Sequence, residues 1–527
     1  MPPRAKSPDT SPQRLSSVVK SVRDIMRKDK GLNGDADRLP MLTWMMFLKF
    51  LDDLERTHEA EAEINGRSYR PLIEEPYRWR NWASPTMESL FEKKFIPPTG
   101  DDLIVFINND ETTRPDGQRG LGLFAYLRNL QGETSSDRRS VIATVFKGTI
   151  NRMTNGYLLR EVVEKLDSLD FTSSGEVHTL SQLYEGLLKE MRDSAGDAGE
   201  FYTPRAVVKF MVNALDPKLG ETVLDPACGT GGFLVEALEH LKPQAQNTDD
   251  LETLGRSILG GEAKPLPYLL VQMNLILHGL EVAQISFGNS LEVDLSQVTD
   301  KDRVDVILAN PPFGGEEHAS ILRNYPPDKR TSETALLFLQ VIMRRLRRKI
   351  PTVADSRGGR AAVVVPNGVL FAEGVAAKIK QELLEEFNLH TIVRLPNGVF
   401  APYTSIPTNL IFFDRNGPTK EVWYYEQPLP EGRKNYTKTQ PIQFEEFAPL
   451  LAWWNDRTPN ERAWTVDAKA IANNGYNLDI KNPNAAEDLE HLPPEQLLED
   501  IVQKERRILE ILGELQAELS GTNLGRN

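Results

Sequence analysis

Asn310-Pro311-Pro312-Phe313 is the run of residues with the clearest chemistry in this sequence. Proline fixes φ and removes an amide donor, so carbonyls in such a run are left free to accept. The Asn310 side-chain oxygen and the Pro311 carbonyl are therefore two acceptors side by side. Together they can take both hydrogens of a conjugated amine. That holds the nitrogen near tetrahedral geometry and turns its lone pair toward an electrophile, with positioning and electrostatics supplying the rate effect. The chemistry needs no metal and no strong base. Phe313 adds a face for stacking on a planar ring. Taken alone, the run also reads as a rigid turn, because short motifs occur by chance.

A second run, Val223-Leu-Asp225-Pro-Ala-Cys-Gly229-Thr230-Gly231-Gly232-Phe-Leu234, has the form of strand, glycine-rich turn and helix. Glycines let backbone N–H groups and a helix N-terminus approach a ligand closely. Asp225, at the strand end, can accept from a ligand's ammonium group. A dinucleotide fingerprint would need glycine where Leu234 stands, and an acid about 20 residues further on. A P-loop would need Gly-Lys-Ser/Thr, which is missing. The bland reading is a tight turn without a ligand, but such turns seldom need three glycines.

These two loops require a scaffold that brings strand ends together. Residues 1–14 are rich in Pro, Ser and charge and read as a disordered tail. Residues 15–195 are mostly helical in pattern, with apolar spacing over 39–63 and an amphipathic stretch over 180–191; loop signals weaken the pattern between 71 and 132. From 196 to 426 strand-like and helix-like runs alternate, the mark of a doubly wound α/β sheet. Val422-Trp-Tyr-Tyr is expected at the sheet edge. Residues 427–527 are irregular and end in a helix with an apolar stripe through Leu498, Ile501, Ile508, Leu512, Leu515 and Leu519.

Bulk properties narrow the setting. The 527 residues imply two or three domains. No apolar run reaches the roughly 18–20 residues of a membrane span, and the N-terminus lacks a signal peptide's apolar core. One cysteine, Cys228, excludes an intrachain disulfide framework. A cytoplasmic protein is expected. The net charge of −14 is unusual for a chain that grips nucleic acid alone, and suggests a partner that shares that task. The basic run 344–349 admits phosphate contact or, more simply, a helix end favoured by the macrodipole.

The two loops, in this order, resemble those of amino-methyltransferases acting on DNA. The glycine loop is similar to their S-adenosylmethionine loop, and Glu200-Phe201-Tyr202-Thr203-Pro204-Arg205 to the upstream motif that covers the methionine part of the cofactor. Thr203 and Pro204 also read as an ordinary N-cap and first helical residue. The order of motifs is that of the gamma class, whose Asn-Pro-Pro-aromatic members mostly methylate adenine N6. Further stretches, Leu39-Pro-Met-Leu-Thr-Trp, Gly359-Arg-Ala-Ala-Val, Asn435-Tyr-Thr-Lys-Thr and Gly475-Tyr-Asn-Leu-Asp, resemble the modification (HsdM-type) subunit of type I restriction–modification systems.

The resemblance implies a Rossmann-like methyltransferase sheet with an N-terminal helical domain and a C-terminal helical tail. It implies S-adenosylmethionine as cofactor, with Asp225, Gly229, Thr230, Gly231 and Gly232 around its amino-acid part, Glu262 on the ribose and Asn289 on its adenine. Asn289 departs from the aspartate that many such enzymes carry. Asn310, Pro311, Pro312 and Phe313 would act on a target adenine flipped from the duplex. Phe400 reads equally as a second stacking face or as a core aromatic. Implied partners are DNA, a specificity subunit, a restriction subunit and a second copy of the chain, with no membrane. The terminal helix docks on the specificity subunit or packs on its own domain. Alternatives are a methyltransferase of similar fold acting on RNA or a protein glutamine, and a catalytically idle scaffold.

Overall fold

The computed structural model describes residues 11–83, 94–133, 137–169, 203–280, 283–350, 356–401 and 404–484, and single positions at 171, 352, 502, 505, 506, 508, 509, 511 and 512. Three expected site residues, Glu200, Phe201 and Tyr202, lie outside the described residues, as does the stretch 180–191.

The N-terminal part is helical, as its apolar spacing predicts. The helix Asp35–Ile64 is its longest element and buries Trp44, Phe47 and Leu51. Helices Ser11–Met26, Arg138–Lys147 and Gly156–Asp167 belong to the same core. Asn155 caps the last of these, accepting from the N–H groups of Tyr157 and Leu158. Between 71 and 132, where loop signals dominate the sequence, a short hairpin forms from β1 (Glu111–Thr113) and β2 (Arg119–Leu121), with helices Asp101–Asn108 and Leu123–Arg128 around it.

Lys49, which interrupts the most apolar stretch, is buried and pairs with buried Asp53 at 2.6 Å. Asp53 also accepts from the Phe171 N–H at 3.2 Å. Asp53→Ala would strand a buried ammonium, and a loss of about 3–5 kcal/mol is expected. Thermal or denaturant unfolding of the variant checks this.

The second part is built on a nine-stranded sheet. Its strands are β3 (Val223–Asp225), β4 (Ile258–Glu262), β5 (Gln284–Phe287), β6 (Val306–Ala309), β7 (Arg360–Pro366), β8 (Asn388–Arg394), β9 (Thr408–Asp414), β10 (Glu421–Glu426) and β11 (Ala463–Asp467). The order across the sheet is β11-β10-β8-β9-β7-β6-β3-β4-β5. β9 runs antiparallel between β7 and β8, and β11 runs antiparallel to β10; the other pairs are parallel. Strands buried on both faces read as unbroken apolar runs, which is why Ala361 to Val365 alternates with nothing.

Val422-Trp-Tyr-Tyr lies in β10, not at the edge. β11, from the tryptophan-rich stretch, covers it, and Trp464 stacks on Tyr424 with ring centroids 5.3 Å apart. Two residues of the basic run 344–349 are bound up in ion pairs of the fold. Arg344 pairs with Glu382 at 2.9 Å and Arg347 with Asp305 at 3.0 Å. Arg303 and Arg415 donate to the Leu346 carbonyl, capping the helix Thr334–Arg345. No helix among the described residues is long and apolar enough to cross a membrane.

β3 and β6 are neighbours, yet the chain leaves β3 toward β4 and β5 and returns to β6 on the other side. Such a switch point opens a crevice at the carboxyl ends of the strands. The glycine loop follows β3 and the Asn310 loop follows β6, so the topology brings the two loops to one place.

Candidate active site

A cavity of about 670 Å³ occupies this crevice. Of the residues expected in the site, Asp225, Gly229, Thr230, Gly232, Glu262, Asn289, Asn310 and Pro312 line it, together with Thr203, Pro204 and Arg205. Gly231, Pro311 and Phe313 are not in its wall.

The glycine loop is a cradle shaped by its own backbone. Gly229 and Gly231 have φ of 53° and 83°, the left-handed region that side chains disfavour. Gly231 has a second constraint: a Cβ there would stand 2.6 Å from Val271 Cγ2. The helix Gly232–Leu241 then begins with its N-terminus at the cavity. Buried Asn274 donates to the Thr230 carbonyl at 2.9 Å, and Ser290 Oγ to the Pro226 carbonyl at 2.6 Å; these hold the loop from outside.

Two carboxylates at strand ends, Asp225 and Glu262, line the cavity. Glu262, at the end of β4, accepts from Gly229 N at 2.9 Å and from Lys264 N at 2.8 Å. Burial raises its pKa, against those two N–H groups. Asp225 is more deeply buried. Its pKa is pushed up to about 8 by burial, against one N–H from Ala227 and with the charge of Glu262 adding to the rise. A buried acid with so little to stabilise its charge fits a cationic ligand group. Cys228 is also buried, which pushes its thiol well above the ordinary range, so it packs rather than reacts.

Asn289 has two roles. It lines the cavity, and its side-chain oxygen accepts from Leu291 N at 3.0 Å to cap a short turn.

The Asn310 amide is oriented by Thr203, whose Oγ1 accepts from Asn310 Nδ2 at 3.0 Å. Thr203 is not the N-cap that sequence alone suggests. Pro204 takes that place, and the helix starts at Arg205. The threonine hydroxyl is thereby released to hold the asparagine, and Arg205 Nη1 donates to the Gly232 carbonyl at 3.2 Å, tying this helix to the glycine loop. Thr203→Val keeps the shape and removes the hydroxyl. Turnover is expected to fall about 10-fold, roughly the worth of one hydrogen bond, and by more than cofactor affinity falls. Steady-state kinetics beside a binding titration separates the two.

Phe313 is half-buried and its ring lies 6.1 Å from that of Phe400, tilted by 58°. Phe400 is itself buried in the core, so in this conformation it supports Phe313. Sequence reasoning missed another wall of the cavity. Lys209, Glu236 and Lys264 line it, as do Glu317, Thr334 and Phe338, and so does the distant segment Pro441, Ile442, Gln443, Phe444 and Glu445. No local pattern marks that segment. Helical spacing does place Lys209 one turn beyond Arg205.

Residues 175–492 match the N-6 DNA Methylase family, and residues 15–166 match the HsdM N-terminal domain. The chain is 46% identical to the type I restriction enzyme EcoEI methylase subunit of Escherichia coli, over 97% of this chain and all of that one. The EcoKI methylase subunit of Escherichia coli K12 is 30% identical over 67% of this chain and 69% of its own length. Among solved structures, a modification subunit from Vibrio vulnificus YJ016 is 62% identical, with a TM-score of 0.80 over 92% of this chain and all of that one. A chain from work on complex assembly of the type I restriction–modification system is 38% identical, with a TM-score of 0.76 over 98% and 99%. The two crevice loops, the helical N-terminal part and these full-length likenesses agree: the chain belongs to the family of type I restriction–modification DNA methylase subunits.

Proposed function

We propose that this chain transfers a methyl group from S-adenosylmethionine to N6 of adenine in DNA, as the modification subunit of a type I restriction–modification complex. The single observation that carries the proposal is the convergence of the Asn310 loop and the glycine loop on one cavity, with Thr203 bonded to the first and Arg205 to the second. The residues present fit the cofactor. A glycine cradle whose Gly229 and Gly232 line the cavity, a buried acid at Asp225 and a second acid at Glu262 suit an ammonium group and a ribose. When bound, the cofactor supplies an electrophilic methyl group on a sulfonium.

The chain's own residues do the rest. Asp225 accepts from the ammonium group, and Glu262 accepts from ribose hydroxyls with the lone pairs that its backbone donors leave. Thr203 holds the Asn310 amide so that its oxygen accepts from the target amine. The Pro311 carbonyl accepts the second amine hydrogen. Phe313, backed by buried Phe400, stacks on the flipped base. The nitrogen loses its planarity, and its lone pair becomes available for attack.

The partners are DNA, a specificity subunit that reads sequence, a restriction subunit and a second copy of the chain, in a cytoplasmic complex. The acidic net charge of −14 supports shared DNA binding. In the terminal stretch, the described helical positions Ile508, Leu509 and Leu512 are 52–63% exposed, which favours docking on a partner over packing on the chain's own core. The test is a methylome of cells that carry the chain with its genomic neighbours, compared with cells that lack it. New N6-methyladenine at one sequence is expected. Methylation of RNA or protein without any in DNA would reject the proposal.

A further inference from the structure

The cavity wall formed by Pro441–Glu445 comes from a strap that follows β10 and returns over the helix Arg205–Leu215. The strap is firmly tied. Gln427 Nε2 donates to the Glu446 carbonyl at 2.8 Å, and Glu446 Oε1 accepts from Gln443 N at 2.8 Å. Tyr436 donates its hydroxyl to Glu446 Oε2, and its N–H to the Asn397 carbonyl at 3.0 Å. It passes so close to Gly398 that a Cβ there would meet the Tyr436 oxygen at 2.2 Å. Phe447 stacks on Phe210, with centroids 4.8 Å apart and planes at 11°.

This anchoring fixes the half-buried Phe444, and the Lys209 ammonium rests 4.5 Å from the centroid of its ring. The pair confines a flexible, exposed lysine to the cavity wall by a cation–π contact. Lys209 stands one turn beyond Arg205, which bonds the Gly232 carbonyl, and Glu236 stands one turn beyond Gly232. Lys209 and Phe444 therefore line the cavity where the helices Arg205–Leu215 and Gly232–Leu241 meet the strap.

We infer that Lys209, held in place by Phe444, binds the carboxylate of the cofactor's amino-acid end, and that the strap is part of the cofactor site. This inference rests on the cofactor reading given above. Acids that line the cavity, among them Glu236, Glu445 beside Phe444 and Asp225 at the end of β3, suit an ammonium group; none suits a carboxylate. A zwitterionic ligand end needs one cation as well; of the cations that line the cavity, Arg205 is turned to the Gly232 carbonyl, and Lys209 is the one that the strap holds in place. A charge-assisted hydrogen bond from an ammonium to a carboxylate supplies it.

Two ligands test the inference in calorimetric titrations of the full chain. S-adenosylhomocysteine carries the amino-acid end, and 5′-methylthioadenosine lacks it. Lys209→Met is expected to weaken S-adenosylhomocysteine about 10-fold and to leave 5′-methylthioadenosine within about 2-fold. Phe444→Ala is expected to act in the same direction, about 3-fold, because it frees the lysine without removing it. Lys209→Met binding that is unchanged for both ligands, or weakened equally for both, overturns the inference. If the unaltered chain binds neither ligand, the cofactor reading itself fails and the inference falls with it.

Discussion

Asn310→Ala is expected to lower methyl transfer about 100- to 1,000-fold while cofactor affinity stays within about 2-fold. Asn310 follows β6 at the crevice, and its amide nitrogen is already engaged by Thr203. The amide therefore cannot turn freely, and the carbonyl oxygen is the end of it that can accept from a substrate amine. Alanine deletes that acceptor and leaves the Pro311 carbonyl to hold one hydrogen only. The amine then stays planar and conjugated, and its lone pair remains in the ring. The loss belongs to the transition state, because the interaction strengthens as the nitrogen becomes tetrahedral. Methyl incorporation into DNA by the assembled complex, measured beside a titration with S-adenosylhomocysteine, reads both quantities. Normal turnover by the variant would show that Asn310 has no catalytic role.

Asp225→Asn is expected to stabilise the fold and to weaken the cofactor at the same time. Burial raises the Asp225 pKa from 3.8 to about 8 in the folded chain. Between those values the folded state binds the proton that the unfolded state has released, so stability falls as pH rises from about 4 to about 8 and is flat beyond. Asparagine removes that dependence, with an expected gain of roughly 1–4 kcal/mol at pH 7. An upward shift in Tm that shrinks toward pH 4 is the signature. Binding changes the other way. An ionised Asp225 accepts from the cofactor's ammonium group, so affinity of the unaltered chain should climb as pH rises toward 8. In the variant this climb disappears, and affinity at pH 8 drops roughly 10- to 100-fold, the worth of a hydrogen bond to a charged group. A variant that binds as tightly as the parent would remove Asp225 from the site.

The two predictions concern residues that were legible before any fold was known. Asn310 stands out because two prolines after an amide side chain have few purely structural uses, and Asp225 because it ends an apolar run before three glycines. Most of the sheet was legible for a similar reason: buried parallel strands are short apolar runs, and amphipathic helices separate them. β8 and β9 are an instructive exception. Only the short loop 395–407 separates them, with no helix among its described residues, which favours an antiparallel return over a parallel crossover, and β9 does enter antiparallel. That much is visible in the spacing, but its place between β7 and β8 is not. β11 was hidden because its five residues lie among tryptophans and turns, and only pairing with β10 makes them a strand. Thr203 shows the same limit on a smaller scale. Its type fits an N-cap, yet its hydroxyl goes to Asn310, 107 residues away.

Residue type and spacing alone therefore point to the strand-and-helix alternation and to the two candidate loops, because each depends on neighbours along the chain. Tertiary structure decides the rest. It places β3 beside β6 so that the Asn310-Pro311-Pro312-Phe313 loop meets the glycine loop, and it buries Asp225 until its charge is costly. It also brings Phe444 over Lys209 from 235 residues further on. Such contacts have no local signature, since packing across a sheet depends on which surfaces meet and not on sequence separation.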